Sequence, residues 1–282
     1  MNKTPKVSVV TPIFNTAPEK LCDMIDSILS QTFTDFEFLI LNDSPNNKTL
    51  DDILLKYKDP RIKYIKNKKN IGLAKSTNKL FSMAKGKYIA ITDHDDISLP
   101  TRLEKQVDFL DQNPHVGLVS ANVIVQSPNH KQTKLTRPSD NFTLKLEMMR
   151  QKGRCLISNT CCMIRTSLLN ETHIKFEEEY FPCCDYRFYM QLMPHTIFHN
   201  LPDYLVIYNS YPENTSHKYE KLMLDMAGEI WMKARSNNPF MPHTENKQTK
   251  YLLFGKILLF SRENGFIKLF GLLPIIKIQK RY

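Results

Sequence analysis

Three carboxylates and an imidazole stand together at Asp93-His94-Asp95-Asp96, and two further acids, Asp43 and Asp185, occur where they can do chemistry. Adjacent acids raise one another's pKa, and a hard divalent cation carrying a charged ligand is a good reason to keep them side by side. The competing reading is an acidic N-cap cluster on a solvated loop, because Asp favours that position and Pro100-Thr101 opens a helical segment just beyond. Asp185 lies in EEEYFPCCDYRFYMQL, flanked by cysteines and aromatics. Desolvation there raises a carboxyl toward the pKa of a useful base, whether or not the residue also caps the helix that follows. Asp43 closes an apolar run and can accept hydrogen bonds from a base or ribose; Asn15 and the backbone near Pro12 can line the same pocket.

The elements that carry these residues are legible from periodicity. Lys6 to Ile13, Asp35 to Asn42, Arg61 to Lys66 and Lys87 to Thr92 read as strands. Between them, helical spacing marks segments from Pro18 through Leu29, from Leu50 to Tyr57 and from Gly72 to Ala84. A helix with Leu103, Val107 and Leu110 on one face follows the acidic run. Strand and helix alternate at lengths that suit crossover connections, which predicts an α/β fold with a mostly parallel, doubly wound sheet. The loops at Thr11–Asn15, Asn42–Asn47 and Asp93–Asp96 then leave the carboxyl ends of strands and meet at one edge, where open sheets of this kind place ligands. Farther on, the pattern predicts a strand over Val116–Val125, a polar, turn-rich stretch over 126–140 and a short helix over Leu144–Met149. A strand over Leu156–Ile164, a helix over Tyr186–Met193, a strand over Leu201–Tyr208 and a helix over His217–Arg235 complete the sequence of elements.

At 282 residues the chain can bury a full core, and 39 Lys/Arg against 29 Asp/Glu give a net charge of +10. That balance suits an anionic partner. No apolar run is long enough to span a bilayer, and MNKTPKVSVV lacks the apolar core of a signal peptide, so a cytoplasmic protein is expected. Six cysteines without a C-x-x-C pair read as buried reduced thiols, not as a zinc site. No G-x-G-x-x-G follows the first strand and no P-loop occurs, so a diphosphate needs another holder, which a metal on the Asp cluster supplies. Residues 245–282 hold eight Lys/Arg and two acids, a net +6, among interrupted apolar runs. This suits an amphipathic segment on an anionic leaflet, or a helix packed on the core or on a second subunit.

Taken together, VSVVTPIFN (7–15), SILSQTFTDFEFLILND (27–43), NIGLAKSTN (70–78), GKYIAITDHDD (86–96), PTRLEKQ (100–106) and CDYRFYMQL (184–192) resemble, in order, glycosyltransferase family 2. These are inverting nucleotide-sugar enzymes with the GT-A fold, and the resemblance runs from about Lys6 to Ser216. It implies a Rossmann-like, mostly parallel central sheet flanked by helices, with a nucleotide-sugar-binding half (1–115), an acceptor half (116–216) and a basic amphipathic C-terminal helical extension (217–282). By position it places Asp43 on the nucleotide base, with Pro12, Phe14 and Asn15 lining that pocket and Asn70 and Gly72 beside the nucleotide. It puts Asp93 on the ribose, Asp95 on a Mn2+ or Mg2+ ion bridging the diphosphate, Asp96 toward the donor sugar, and Asp185 as general base. Two positions depart from the family pattern: Cys184 replaces the Glu before the base, and Tyr211 replaces a His that can serve as metal ligand, with His217 a candidate substitute.

The resemblance implies transfer of a hexose or N-acetylhexosamine from a UDP-sugar to a saccharide or lipid-linked acceptor. The FGLLPIIKIQKR ending looks like that of bacterial enzymes of lipopolysaccharide or capsule biosynthesis, at the inner face of the inner membrane, with a homodimer as a further option. Three other classes compete. A catalytically impaired scaffold has Cys184 and Tyr211 in its favour, but Asp43, Asp93, Asp95 and Asp185 are all retained. A nucleic-acid-binding protein has charge alone, without interleaved aromatics. A nucleotidyltransferase wants a glycine-rich loop that TPIFNTAPEK does not provide.

Overall fold

The computed structural model describes residues 4–150, 155–236, 249–252, 259–263 and 266–270. Its centre is a sheet built on β1 (Val7–Ile13), β2 (Phe36–Asn42), β3 (Ile62–Lys66) and β4 (Tyr88–Ile91), which pair in parallel in the order β3-β2-β1-β4. Every residue of β2 is buried, as expected for a parallel strand covered on both faces. Alternation divides its side chains: Leu39 and Leu41 join one core cluster, Phe38 and Ile40 the other. The connecting helices α1 (Pro18–Leu29) and α2 (Lys48–Lys56) cover the second face through Leu21, Ile25, Leu50 and Leu54, whereas α3 (Leu73–Met83) covers the first through Ala74 and Leu80.

Past β4 the chain makes the two-residue β5 (Ile97–Ser98), then α4 (Arg102–Gln112), whose Leu103, Val107 and Leu110 are buried against the second face. The long β6 (Val116–Gln126) follows, with the short edge strand β7 (Gln132–Leu135) antiparallel to it and α5 (Asn141–Arg150) beyond. Next come a 3-10 turn at Asn159–Cys161, β8 (Met163–Arg165), α6 (Thr166–Thr172), a second 3-10 turn at Glu178–Tyr180 and α7 (Cys184–Leu192). β9 (Ile197–Asn209) closes the sheet, and α8 (Thr215–Lys218) and α9 (Glu220–Ser236) follow. The full order is β3-β2-β1-β4-β8-β6-β9-β5. Here the sheet becomes mixed: β8 runs antiparallel to both β4 and β6, β6 pairs in parallel with β9, and β5 runs antiparallel to β9.

Three expectations change. The strand expected over Leu156–Ile164 is reduced to Met163–Arg165. Ser158, Asn159 and Thr160 interrupt its apolar run, and residues 159–161 instead form the 3-10 turn that faces the acidic cluster. The stretch 126–140, read as turns, contains the exposed edge strand β7. The C-terminal extension is helical through Ser236 but then contributes three short antiparallel strands, β10 (Thr249–Leu252), β11 (Leu259–Glu263) and β12 (Phe266–Phe270). Their four- and five-residue runs, rich in aromatic and aliphatic side chains, suit strands better than a continuous helix. The remainder of the basic tail, including the FGLLPIIKIQKR ending beyond Phe270, lies outside the described residues.

Candidate active site

The first wall of the site is a clasp between the loops that leave β1 and β2. Asp43 donates its N–H to the Ile13 carbonyl (2.9 Å), and Asn15 donates its own to Ser44 Oγ (2.7 Å). Asn15 has φ +48°, in the left-handed region that Asn tolerates better than most residues. The adjacent Phe14 is 52% exposed. Pro12, inside β1, pairs with Leu41. Between these loops lies a cavity of about 700 Å³ lined by Phe14, Asn15, Ser44, Pro45, Lys69 and Asn70, among others. The acids Asp93, Asp95, Asp96 and Asp185 lie outside its lining.

Asp43 is only 3% exposed, and its carboxylate is turned onto its own chain. It accepts from Asn67 Nδ2 (2.7 Å), Ile71 N (3.0 Å) and Gly72 N (2.8 Å), while Lys79 Nζ donates to Asn67 Oδ1 (2.7 Å). Asn70 Nδ2 donates to the Asp43 carbonyl at 3.3 Å. The residue expected to meet the base therefore holds the 67–72 loop in place and shapes the pocket through Asn70. Gly72, at φ +83°, caps α3 in a conformation that a side chain would strain.

The second wall is the acidic run after β4. Thr92 donates its N–H to the Val10 carbonyl (3.1 Å), so the chain leaves the sheet at Asp93. Burial raises the Asp93 carboxyl to about 7, helped by the negative charges of Asp95 and Asp185 and opposed by a hydrogen bond from Asn159. Asp96 is 1% exposed, and burial with the charges of Asp93 and Asp95 lifts its carboxyl well above the usual range. Its Oδ1 accepts from the Asn209 N–H at 2.8 Å, whereas its Oδ2 is buried with no hydrogen-bond partner among the described residues. Asn209 also donates from Nδ2 to the Asp95 carbonyl (2.7 Å), which ties the run to the end of β9. Burial lowers the His94 imidazole, and its Nδ1 stands 3.9 Å from Asp95 Oδ1.

Asp185 occupies the first turn of α7 and accepts from the Tyr186 N–H at 2.7 Å. Burial nevertheless raises its carboxyl above the ordinary value. The charge of Asp185 thus reaches Asp93, itself beside Asp95 and Asp96, although 92 positions separate Asp93 from Asp185 in sequence. Asp43, Asn15 and Phe14 form the neighbouring wall. The thiol of Cys184, where the family pattern has a Glu, is pushed up by burial and by Asp185, so it stays neutral. All six cysteines are free thiols.

Among the described residues no group of three or more His, Cys, Asp and Glu side chains is arranged to hold a metal ion. A fully protein-made cage is therefore absent from them. Asp96 Oδ2, without a hydrogen-bond partner among the described residues, and the mutually repelling carboxylates of Asp93 and Asp95 beside it are the hard-oxygen donors that would suit a divalent cation. His217 does not join the acids through a hydrogen bond of its own: its Nε2 lies 2.9 Å from Ser210 Oγ. Tyr211 instead carries the Lys20 ammonium over its ring at 3.4 Å.

Several residues of the site escaped the sequence reading. Arg102 is fully buried and donates to the Ile91 carbonyl (2.6 Å), Ser98 Oγ (2.9 Å) and Gln106 Oε1 (3.3 Å). It is a cation whose field reaches both Asp93 and Asp96. The signal was present, since Arg102 and Gln106 share the helical stripe of Leu103, Val107 and Leu110. Asn159, Thr160 and Asn209 carried no such signal, because their partners are distant in sequence.

A parallel βα half joined to a mixed half, with acids at the carboxyl edge where the halves meet, is a GT-A-type arrangement. The family model for glycosyl transferase family 2 matches residues 8–172, and the chain belongs to that family. It is 35% identical over 189 residues to an uncharacterized glycosyltransferase of Methanocaldococcus jannaschii, a match covering 66% of this chain and 64% of that one. Among solved structures, S. aureus TarS 1–349 in complex with UDP superposes with a TM-score of 0.62 at 21% identity, over 83% of this chain and 66% of that one. The mannosyltransferase PcManGT of Pyrobaculum calidifontis, in complex with GDP-Man and Mn2+, gives a TM-score of 0.57 at 15% identity, over 83% and 75%. These likenesses confirm the GT-A-like fold. The chain spans just under two thirds of the length of the M. jannaschii relative.

Proposed function

We propose that this chain is an inverting glycosyltransferase that moves a hexose or N-acetylhexosamine from a UDP-sugar to a saccharide or lipid-linked saccharide acceptor. The observation that carries the reading is the meeting of Asp185, with its raised carboxyl pKa, and the Asp93–Asp96 cluster at the sheet edge. A carboxylate with a raised pKa is a better proton acceptor, and Asp185 takes the hydroxyl proton of the acceptor as that oxygen bonds to the anomeric carbon. The bond from that carbon to the diphosphate breaks, its electron pair leaves with the diphosphate, and a single displacement turns an α-linked donor into a β-glycoside. Phe14, Asn15 and Asn70 flank the nucleotide, with Asp43 shaping their pocket. Asp95, with Asp93 and Asp96 beside it, would hold a Mn2+ or Mg2+ ion. Such an ion, when bound, supplies positive charge to the departing diphosphate.

A peripheral place on an anionic membrane, in lipopolysaccharide or capsule assembly, is the setting we favour. Its support is the net charge of +10 and the basic tail. No helix among the described residues is long and apolar enough to cross a membrane. The test is a donor screen with Mn2+ and several UDP- and GDP-sugars, read as release of nucleotide diphosphate. Release in the wild type and its loss in Asp95→Ala and Asp185→Asn supports the assignment; full activity in both variants refutes it. A scaffold, the reading that Cys184 and Tyr211 favour, would bind nucleotide without turnover.

A further inference from the structure

The loop after β4 that bears Asp93 and the helix α7 that bears Asp185 are linked through hydrogen bonds. The Tyr189 hydroxyl donates to Oδ1 of Asn159 at 2.9 Å, and Asn159 Nδ2 donates to Oδ1 of Asp93 at 3.0 Å. Asp93 in turn donates its backbone N–H to Thr160 Oγ1 at 3.3 Å. The 3-10 turn therefore grips Asp93 at both its side chain and its backbone, through two consecutive residues. Tyr189 stands four residues after Asp185 on α7, one helical turn along the same face. It is fully buried, and its ring meets Phe188 edge-on at 5.5 Å.

The polarity of this chain of hydrogen bonds is set by chemistry. A primary amide has one accepting end and one donating end, and a carboxylate only accepts. Burial, with the negative charge of Asp185 nearby, keeps the Tyr189 hydroxyl protonated, so it serves as donor. The Asn159 oxygen then faces Tyr189 and its NH2 faces Asp93, the orientation an ionised carboxylate requires. An apolar side chain at 159 would fill the space but leave Asp93 without this donor, among other negative charges.

We propose that Asn159, oriented by Tyr189, is a positioning residue that fixes the Asp93 carboxylate for nucleotide binding and couples the helix bearing Asp185 to the loop bearing Asp93. This rests on the glycosyltransferase reading above. The Tyr189 hydroxyl acts on Asp93 through Asn159, so toward Asp93 the two side chains form one functional unit.

The experiment is calorimetric binding of UDP and of GDP, with Mn2+ present, to wild type, Asn159→Ala, Asn159→Asp, Tyr189→Phe and the double variant Asn159→Ala/Tyr189→Phe, with each Tm recorded. For the nucleotide that wild type binds, Kd rises about tenfold in Asn159→Ala and about three- to fivefold in Tyr189→Phe, as expected for loss of a hydrogen bond to a charged group and of its support. Asn159→Asp, equal in shape but anionic against Asp93, weakens binding further. The double variant binds no worse than Asn159→Ala, because losses within one unit do not add. A packing role alone would lower Tm and leave the Kd of the folded protein unchanged. Unchanged Kd in Asn159→Ala, or losses that add in the double variant, overturns the inference alone. A wild type that binds neither UDP nor GDP overturns the parent reading, and this inference with it.

Discussion

Replacing Arg102 by Met tests whether the acidic edge is held together by a buried cation. The guanidinium is fully buried and serves three acceptors, the Ile91 carbonyl at 2.6 Å, Ser98 Oγ at 2.9 Å and Gln106 Oε1 at 3.3 Å. Methionine fills much of the volume but leaves those acceptors unpaired and removes the positive field that Asp93 and Asp96 feel. Breaking one side of a buried charged network costs about 3–5 kcal/mol. For a domain of this size each kcal/mol lowers Tm by roughly 2–4 °C, so a fall of about 6–20 °C is expected. Arg102→Lys keeps the charge but not the planar fork, and falls between wild type and Met.

The pH dependence separates a charge role from a packing role. The folded-state carboxyls of Asp93 and Asp96 already lie above their ordinary value, so the folded protein binds more protons than the unfolded chain between that value and the raised one. Stability therefore falls as pH rises through this window, which for Asp93 ends at about 7. Losing Arg102 raises these folded-state values further and extends the fall. Urea unfolding of the Met variant then shows a larger deficit at pH 8 than at pH 5. A deficit below about 1 kcal/mol, or one equal at both pH values, refutes the argument, since that is the size expected of a surface change.

The raised pKa of Asp185 predicts an acid limb in the rate profile that lies above the ordinary carboxyl range, because the base must be ionised to take a proton. Its apparent pKa belongs to the coupled cluster, and a rate flat down to pH 4 would count against Asp185 as the base. In the bend just before β4, a Cβ on Gly86 would stand 2.5 Å from the Ser8 backbone nitrogen and 2.7 Å from the Val7 carbonyl carbon, neither of which can swing aside. Gly86→Ala should cost about 1–3 kcal/mol by overpacking, read as a lowered urea midpoint at unchanged slope.

The half of the fold before the acidic run could be read from the chain because its information is local. A buried parallel strand is a continuous apolar run, as FEFLILN shows in β2, and a crossover helix carries its stripe at helical spacing. The placement of Asp93–Asp96 at a strand's carboxyl end follows from the same patterns, and the family resemblance rested on motifs with similar local character. The second half was less legible. Residues 156–164 look like a strand in isolation, yet Asn159 and Thr160 are drawn out of one by hydrogen bonds to Asp93, 66 and 67 residues away.

What the amino-acid order determined by itself was which acids exist and which sheet edge most of them reach. Tertiary structure alone decided what each acid meets. Asp43 turns inward because three donors from the 67–72 loop converge on its carboxylate. Arg102 becomes a buried countercharge because α4 packs beneath the end of β4, where the Ile91 carbonyl accepts from it. The physical reason is common to both: a carboxylate or guanidinium takes its role from the partners and dielectric around it, and those are supplied by segments that only the folded sheet brings together.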